Sequence, residues 1–359
     1  MSSVIRVGIA GAGGVAEVAH IPAFRRLPQV EIRAICDVNH QRATKVAAQA
    51  GIPHVYETFE AMLREESLDL VSICTPNVFH APMAIAAMEA GCHVLCEKPM
   101  ATTVADAEAM IATSERTGRK LTIGLHNRYR PEIQVLKRVA QAGELGEIYY
   151  AKSALWRRSG IPGYGSWFTQ KKLAGAGASF DIGVHLLDLA LYIMGHPEPV
   201  RVCGTTYAEF GPRRQGLGSW GRDIYREGPA VFDVDDLASG YIHFANGATL
   251  VLEVSWAAHL RDEEHLVFLG REGGAEIYAA LFGKETPLRI YRNFHGEAVD
   301  MTPVLPRRAV SPYEQEIEEF VTQLDKPTPP MVTPREGLMA TRILAALHES
   351  ANTGKEVVL

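Results

Sequence analysis

Cysteine is scarce in this chain and never spaced as a metal or redox pair. The five cysteines stand at positions 36, 74, 92, 96 and 203, an odd number with no Cys-x-x-Cys among them. Cys92 and Cys96 raise the option of a ligand or redox pair, but no histidine pairs lie nearby. All five therefore read as reduced, mostly buried thiols. An excess of positive charge is also missing. Lysine and arginine total 36 against 42 acidic residues, a net charge of -6. That excludes an electrostatic footprint for nucleic acid or a lipid surface. No apolar window is expected to be long enough to span a bilayer. Repeats and low-complexity tracts are absent. Met1 to Arg6 passes straight into a strand-like run, which leaves no signal peptide. These absences together point to a cytoplasmic protein.

What is present suits a globular chain of two domains: 359 residues, 47% apolar and 22% charged. Val4 to Ala10 is an apolar, β-branched run of the kind found in a fully buried parallel strand. It leads into Gly11-Ala12-Gly13-Gly14-Val15-Ala16, a G-x-G-x-x-G/A fingerprint with Ala16 in the third place. Gly11 permits a tight turn, Gly13 lets backbone approach a pyrophosphate, and Ala16 allows close helix–strand packing. Gly14 and Val15 open the helix, Val15 to Leu27, whose N-terminus would hold the phosphates. Val30 to Cys36 reads as the second strand, and Asp37 ends it. An acid there accepts from both ribose hydroxyls and repels a 2′-phosphate, and no arginine follows it immediately. NAD is therefore favoured over NADP. Asp37 also suits a cap for the helix that follows, and the two roles are compatible.

Strand and helix then alternate through His54–Tyr56, Asp69–Cys74, His93–Cys96 and Lys120–Leu125. This predicts a doubly wound parallel sheet covered on both faces. Ligands bind at the carboxyl ends of such strands. Asp37, Thr75-Pro76-Asn77, Glu97-Lys98 and His126-Asn127-Arg128 all fall at those ends, so they are candidate cofactor contacts. The alternation stops near residue 125, which sets a dinucleotide-binding domain over 1–125 and a second domain over 126–359. In the second domain Asp236–Phe244 and Ala248–Trp256 flank Asn246-Gly247, a hairpin signal. Apolar residues at 250, 252, 254 and 256 alternate with polar ones, so one face of an antiparallel sheet is covered and the other is open. Pro212 to Gly228 reads as a surface loop.

Two constellations carry chemistry. Lys98 precedes Pro99 at a strand end, where proline stiffens the turn and aims the amine. An aimed amine donates or takes a proton, although Glu-Lys-Pro alone also fits a surface turn. Ser179 to Met194 has helical spacing and carries Asp181, His185 and Asp188 on nearly one face. A carboxylate beside an imidazole orients it and raises its basicity, as a general base requires. A capping aspartate with a core histidine fits the same spacing.

Taken together, the chain resembles the glucose–fructose oxidoreductase/inositol dehydrogenase (Gfo/Idh/MocA) family of NAD(P)-dependent sugar and polyol oxidoreductases. The resemblance rests on Gly11-x-Gly13-x-x-Ala16 with His20, Thr75-Pro76-Asn77 with His80, Glu97-Lys98-Pro99, and Asp181-x-Gly183-x-His185-x-x-Asp188. It implies a Rossmann domain followed by an α/β domain with a large open, mostly antiparallel sheet that forms a dimer or tetramer contact. It implies Lys98, Asp181 and His185 as catalytic residues and His80 beside the cofactor, with no metal. The reaction implied is hydride transfer from a ring secondary alcohol to the nicotinamide. His185 takes the hydroxyl proton, Lys98 holds the same oxygen, and Asp181 orients His185 and pairs with Lys98 or a neighbouring hydroxyl. Trp156, Arg157, Arg158, Tyr164, Trp167 and His259 are polar and aromatic residues suited to stacking on a sugar. An oxidation–elimination glycosidase and a non-catalytic dinucleotide sensor remain as alternatives.

Overall fold

The computed structural model describes residues 4–218, 231–278, 288–306 and 310–359. The chain divides into two compact units, Met1–His126 with Ala309–Leu338, and Asn127–Arg308 with Met339–Leu359.

The first unit is built on six parallel strands: β1 (Ile5–Ala10), β2 (Val30–Cys36), β3 (His54–Tyr56), β4 (Leu70–Ile73), β5 (His93–Glu97) and β6 (Leu121–Gly124). Their order is β3-β2-β1-β4-β5-β6, with the reversal between β1 and β4. A crevice for ligands opens at such a switch point. β4 is buried along its whole length, as a strand covered on both faces must be. Gly11, with φ +95°, turns the chain out of β1. A side chain there would meet the Cys74 carbonyl oxygen at 2.6 Å. The helical run that follows is not a plain α-helix. Ala16–His20 is a π-turn, continued by the α-helix Ile21–Arg25. The late helix Pro312–Gln323 returns to this unit and packs Ile317 and Phe320 against Phe24 and its neighbours. Ser311 and Glu314 close its start as a capping box.

The second unit is a nine-stranded sheet of β7 (Ile148–Trp156), β8 (Pro199–Tyr207), β9 (Leu237–Phe244), β10 (Thr249–Ser255), β11 (Glu263–Gly270), β12 (Gly273–Tyr278), β13 (Leu288–Phe294), β14 (Glu297–Met301) and β15 (Val357–Val358). Among the described residues, β7 and β10 pair parallel and the other strand pairings of this sheet are antiparallel. Residues 245–247 close the β9–β10 hairpin, one residue more than the tightest turn, with Gly247 at φ +86°. Leu250, Leu252 and Val254 are fully buried while Thr249, Val251 and Glu253 lie half-exposed, so one face is covered and the other open. The covered face carries the helix Val184–Met194.

One expectation needs correcting. Lys171–Met194 is long and apolar enough to cross a membrane, but 89% of that window is buried inside the fold. It is a core segment, mostly apolar because protein surrounds it, with Asp181, His185 and Asp188 among its polar exceptions. Of the loop expected at Pro212 to Gly228, residues 219–228 lie outside the described residues.

Candidate active site

The first unit gathers its candidate cofactor contacts at the carboxyl ends of its strands. Asp37, just past β2, accepts the Ala12 N–H at 2.8 Å through one carboxylate oxygen and the Asn39 N–H at 2.7 Å through the other. It thus ties the glycine turn to the start of the helix His40–Ala50, whose own cap is Asn39. A carboxylate has about four acceptor positions, so two remain for ribose hydroxyls. Side chains at Gly13 or Gly14 would meet nothing within 4 Å, which leaves the open cradle that a pyrophosphate would fill. Thr75, Pro76 and Asn77 follow β4, and Asn77 is buried. His80 is fully buried between two carbonyls, with Nδ1 2.7 Å from Pro99 O and Nε2 3.0 Å from Thr75 O. Burial pushes its pKa down despite those acceptors. His80 thereby joins the turn after β4 to the turn that carries Lys98.

Glu97 ends β5 and points inward. Its Oε1 lies 2.9 Å from Nε2 of His20, and its Oε2 accepts the Lys98 N–H at 3.1 Å. Burial alone would raise the Glu97 carboxyl. The imidazole of His20, with Lys98 and His126 behind it, holds it instead at about 2. Burial likewise opposes protonation of His20, but Cys74 and Glu97 outweigh it and raise its pKa well above the usual histidine value.

The second unit carries Asp181 and His185. Asp181 lies on the π-turn Ser179–Gly183, and His185 follows on the α-helix Val184–Met194. The start of this run is held by Asp235, which accepts the Gly177 N–H at 2.7 Å and the Ser179 N–H at 2.9 Å. A side chain at Gly177 would overlap the Asp235 carbonyl oxygen, so only glycine fits. Asp181 accepts from the indole N–H of the buried Trp256 at 2.9 Å. Arg157 lies within electrostatic reach of Asp181, though burial is the larger influence and lowers its pKa. His185 Nδ1 is 3.2 Å from the Asn127 side-chain amide nitrogen. Asn127 thus sets the ring's orientation, and an amide serves as donor or, turned over, as acceptor.

Arg128 is fully buried. It grips the Asp188 carboxylate through Nε, at 2.9 and 3.1 Å, and through Nη2, and its guanidinium lies over the Tyr192 ring at 4.8 Å. It clamps the turn after β6 to the helix of His185. Trp156 and Arg157 sit at the end of β7, with Arg158 exposed beyond it. Tyr164 bonds the Gln215 carbonyl, Trp167 stacks on Phe168 at 3.7 Å, and the exposed His259 meets Phe210 edge-on at 4.9 Å.

Comparison with known proteins fits both units. Residues 5–125 match the oxidoreductase family, NAD-binding Rossmann fold, and residues 133–276 match the GFO/IDH/MocA C-terminal domain. The chain belongs to the Gfo/Idh/MocA oxidoreductase family. It is 33% identical to D-glucoside 3-dehydrogenase of Escherichia coli K12, over 100% of this chain and 98% of that protein. It is 28% identical to D-xylose 1-dehydrogenase (NADP(+)) 2 of Haloferax volcanii, over 98% and 99% of the two chains. The solved aldose-aldose oxidoreductase of Caulobacter crescentus superposes with a TM-score of 0.83 at 26% identity, covering 99% of each chain. This Gfo/Idh/MocA chain is thus an oxidoreductase whose relatives are sugar dehydrogenases, and its Rossmann unit has a glycine cradle that fits the dinucleotide.

Several residues of this family member were not singled out from sequence. Trp256 reads only as an inward apolar position in an alternating strand. Asp235 precedes β9 with no motif of its own. His20 is named with the fingerprint, but its polar partners stand 52 and 77 residues away and are not read from it.

Proposed function

We propose that this protein is an NAD-dependent dehydrogenase of a ring secondary alcohol in a sugar, with Lys98, Asp181 and His185 as its catalytic residues. When bound, NAD supplies the hydride acceptor. Lys98 hydrogen-bonds the alcohol oxygen and stabilises the negative charge that develops on it. His185 takes the hydroxyl proton through the ring nitrogen not facing Asn127. For that, Asn127 turns its amide oxygen to Nδ1–H, which leaves Nε2 as the acceptor. Asp181, held by Trp256, orients His185 and anchors a neighbouring substrate hydroxyl. Trp156, Arg157, Arg158, Tyr164, Trp167 and His259 supply sugar-binding surface. Gly11, Gly13, Gly14, Val15, Asp37, Thr75, Pro76, Asn77, His80, Glu97, Lys98, Asn127 and Arg128 line the cofactor site.

The observation that carries this reading is the pair of prepared groups: Lys98 on a turn fixed by Glu97 and His80, and His185 oriented by Asn127. The full-length similarity to a D-glucoside 3-dehydrogenase makes a glycoside the first substrate to try. The test is a screen of glycosides, free sugars and cyclic polyols with NAD, following NADH. Stoichiometric NADH with an intact glycosidic bond supports the proposal. Free reducing sugar without net NADH would instead reveal an oxidation–elimination glycosidase.

Asp37 supports NAD over NADP, because its carboxylate repels a 2′-phosphate. The NADP named in the Haloferax relative makes this worth measuring directly. NAD is expected to bind more tightly, with Asp37→Ser narrowing the gap; equal affinities in the unmodified protein would refute the preference. The open sheet face, with Tyr149, Tyr241, Leu269 and Tyr278 exposed, is proposed as the contact of a dimer or tetramer. Light scattering at micromolar concentration checks it, and a monomer would count against it.

A further inference from the structure

Beneath the turn that carries Lys98 lies a polar cluster in an otherwise apolar sheet. His20 is 0% exposed and Glu97 5%. Nδ1 of His20 is 2.8 Å from the Ser72 hydroxyl on β4, and Nε2 is 2.9 Å from Glu97 Oε1 at the end of β5. The Ser72 hydroxyl reaches on to Cys74 Sγ at 3.7 Å. The neighbouring strand makes room for this arrangement. Gly124 on β6 pairs with Glu97, and a side chain there would press on Glu97 Oε1 at 3.1 Å. Glu97 then accepts the Lys98 backbone N–H with its other oxygen.

We propose that His20 and Glu97 form a buried ion pair that positions Lys98, with the imidazolium of His20 cancelling the charge of Glu97 so that it does not capture the lysine amine. This rests on the reading of Lys98 as the amine that meets the reacting oxygen. A carboxylate adjacent in sequence to a lysine is an obvious competitor for its ammonium. Unopposed in a low-dielectric setting, it would raise the lysine pKa and draw Nζ toward itself. Here each Glu97 oxygen is engaged elsewhere, one by a cation and one by the backbone. A buried carboxylate requires such compensation. Ser72 accepts the second imidazolium proton and passes its own toward Cys74. The titratable groups facing His20 are Glu97, Cys74 and the ring of Tyr313 at 5.9 Å; those facing Glu97 are His20, Lys98, His126, His80 and Cys96. His20 is therefore a positioning residue, acting on Lys98 through Glu97.

Two measurements test this without any sugar substrate, so their failure is distinct from failure of the dehydrogenase reading. In the unmodified protein with 15N-labelled histidine, one ring with both nitrogens protonated is expected from pH 6 to pH 8. Ser72→Ala should shift its Nδ1 and identify it as His20. Absence of a doubly protonated ring at pH 7 overturns the proposal, whether or not any variant folds. Second, the acylation rate of Lys98 is read by peptide mass spectrometry. His20→Gln keeps a donor toward Glu97 but removes the charge. It should slow Lys98 acylation at pH 7 by about tenfold, because the uncompensated carboxylate holds Nζ as the unreactive ammonium. His20→Gln/Glu97→Gln should restore the rate. An unchanged rate in folded His20→Gln, or no recovery in the double variant, contradicts the charge-cancelling role.

Discussion

Acid should loosen the first unit at a pH set by Glu97. Its carboxyl is held at about 2 against an ordinary 4.5, by His20 above all among the groups that oppose burial. A depressed pKa contributes stability that is present above 4.5 and is lost as pH falls toward 2. The drop from 4.5 to about 2, at about 1.4 kcal/mol for each pH unit, corresponds to between about 3 and 4 kcal/mol, of which about 3 kcal/mol is lost by pH 2. The raised pKa of His20 contributes stability that is fully present below 6.5 and is lost as pH rises through its folded value. The pair's combined contribution is therefore greatest between about pH 5 and 6. All four tryptophans fall in the sequence ranges of the second unit, so fluorescence does not report on the first. Pulse hydrogen exchange after urea equilibration, read on peptides from β4 and β5, does. The unmodified protein should lose about 3 kcal/mol in these peptides between pH 5 and pH 2. Glu97→Gln should begin lower and change less over the same range. Equal slopes in the two proteins would refute the ion pair as the source of that stability.

Two further outcomes follow from the second unit. Trp256→Phe removes the indole N–H from Asp181 while keeping an apolar ring, so turnover should fall about tenfold or more with cofactor affinity unchanged, measured by NADH formation and NAD titration. Gly177→Ala drives a methyl group into the Asp235 carbonyl oxygen at the start of the helix of His185, and thermal unfolding should show a loss of about 1–3 kcal/mol or more.

The strands of the first unit were legible in the sequence because buried parallel strands are short apolar runs between turn residues. Val30–Cys36 and His54–Tyr56 are bounded in the structure as the pattern predicts. The second sheet was less legible at its margins. β12 begins on Gly273-Gly274, β14 has no buried residue, and β15 has only two residues, so none of them alternates strongly enough to stand out. The π-turns were invisible for a different reason. An extra residue per turn at Ala16–His20 and Ser179–Gly183 leaves the apolar spacing close to that of an α-helix, although it changes where Asp181 points. The return of the chain at 309–338 was likewise unreadable, because an amphipathic helix does not name the sheet it will cover. Partners were hardest of all. Glu97, Asn127 and Arg128 stand at strand ends where ligands bind, and their protein partners, His20, His185 and Asp188, lie too far off in sequence to be read from it.

The central claim is that Lys98 and His185 act as one unit on a single alcohol oxygen. It is tested most directly by turnover of Lys98→Ala, His185→Ala and the double variant, on the sugar that the screen identifies, with substrate saturating and NAD binding confirmed. Each single variant should keep NAD and lose about two orders of magnitude or more in kcat. The double variant should be little worse than either, because groups that act together share one stabilisation. Near-normal turnover in NAD-bound Lys98→Ala would contradict the account.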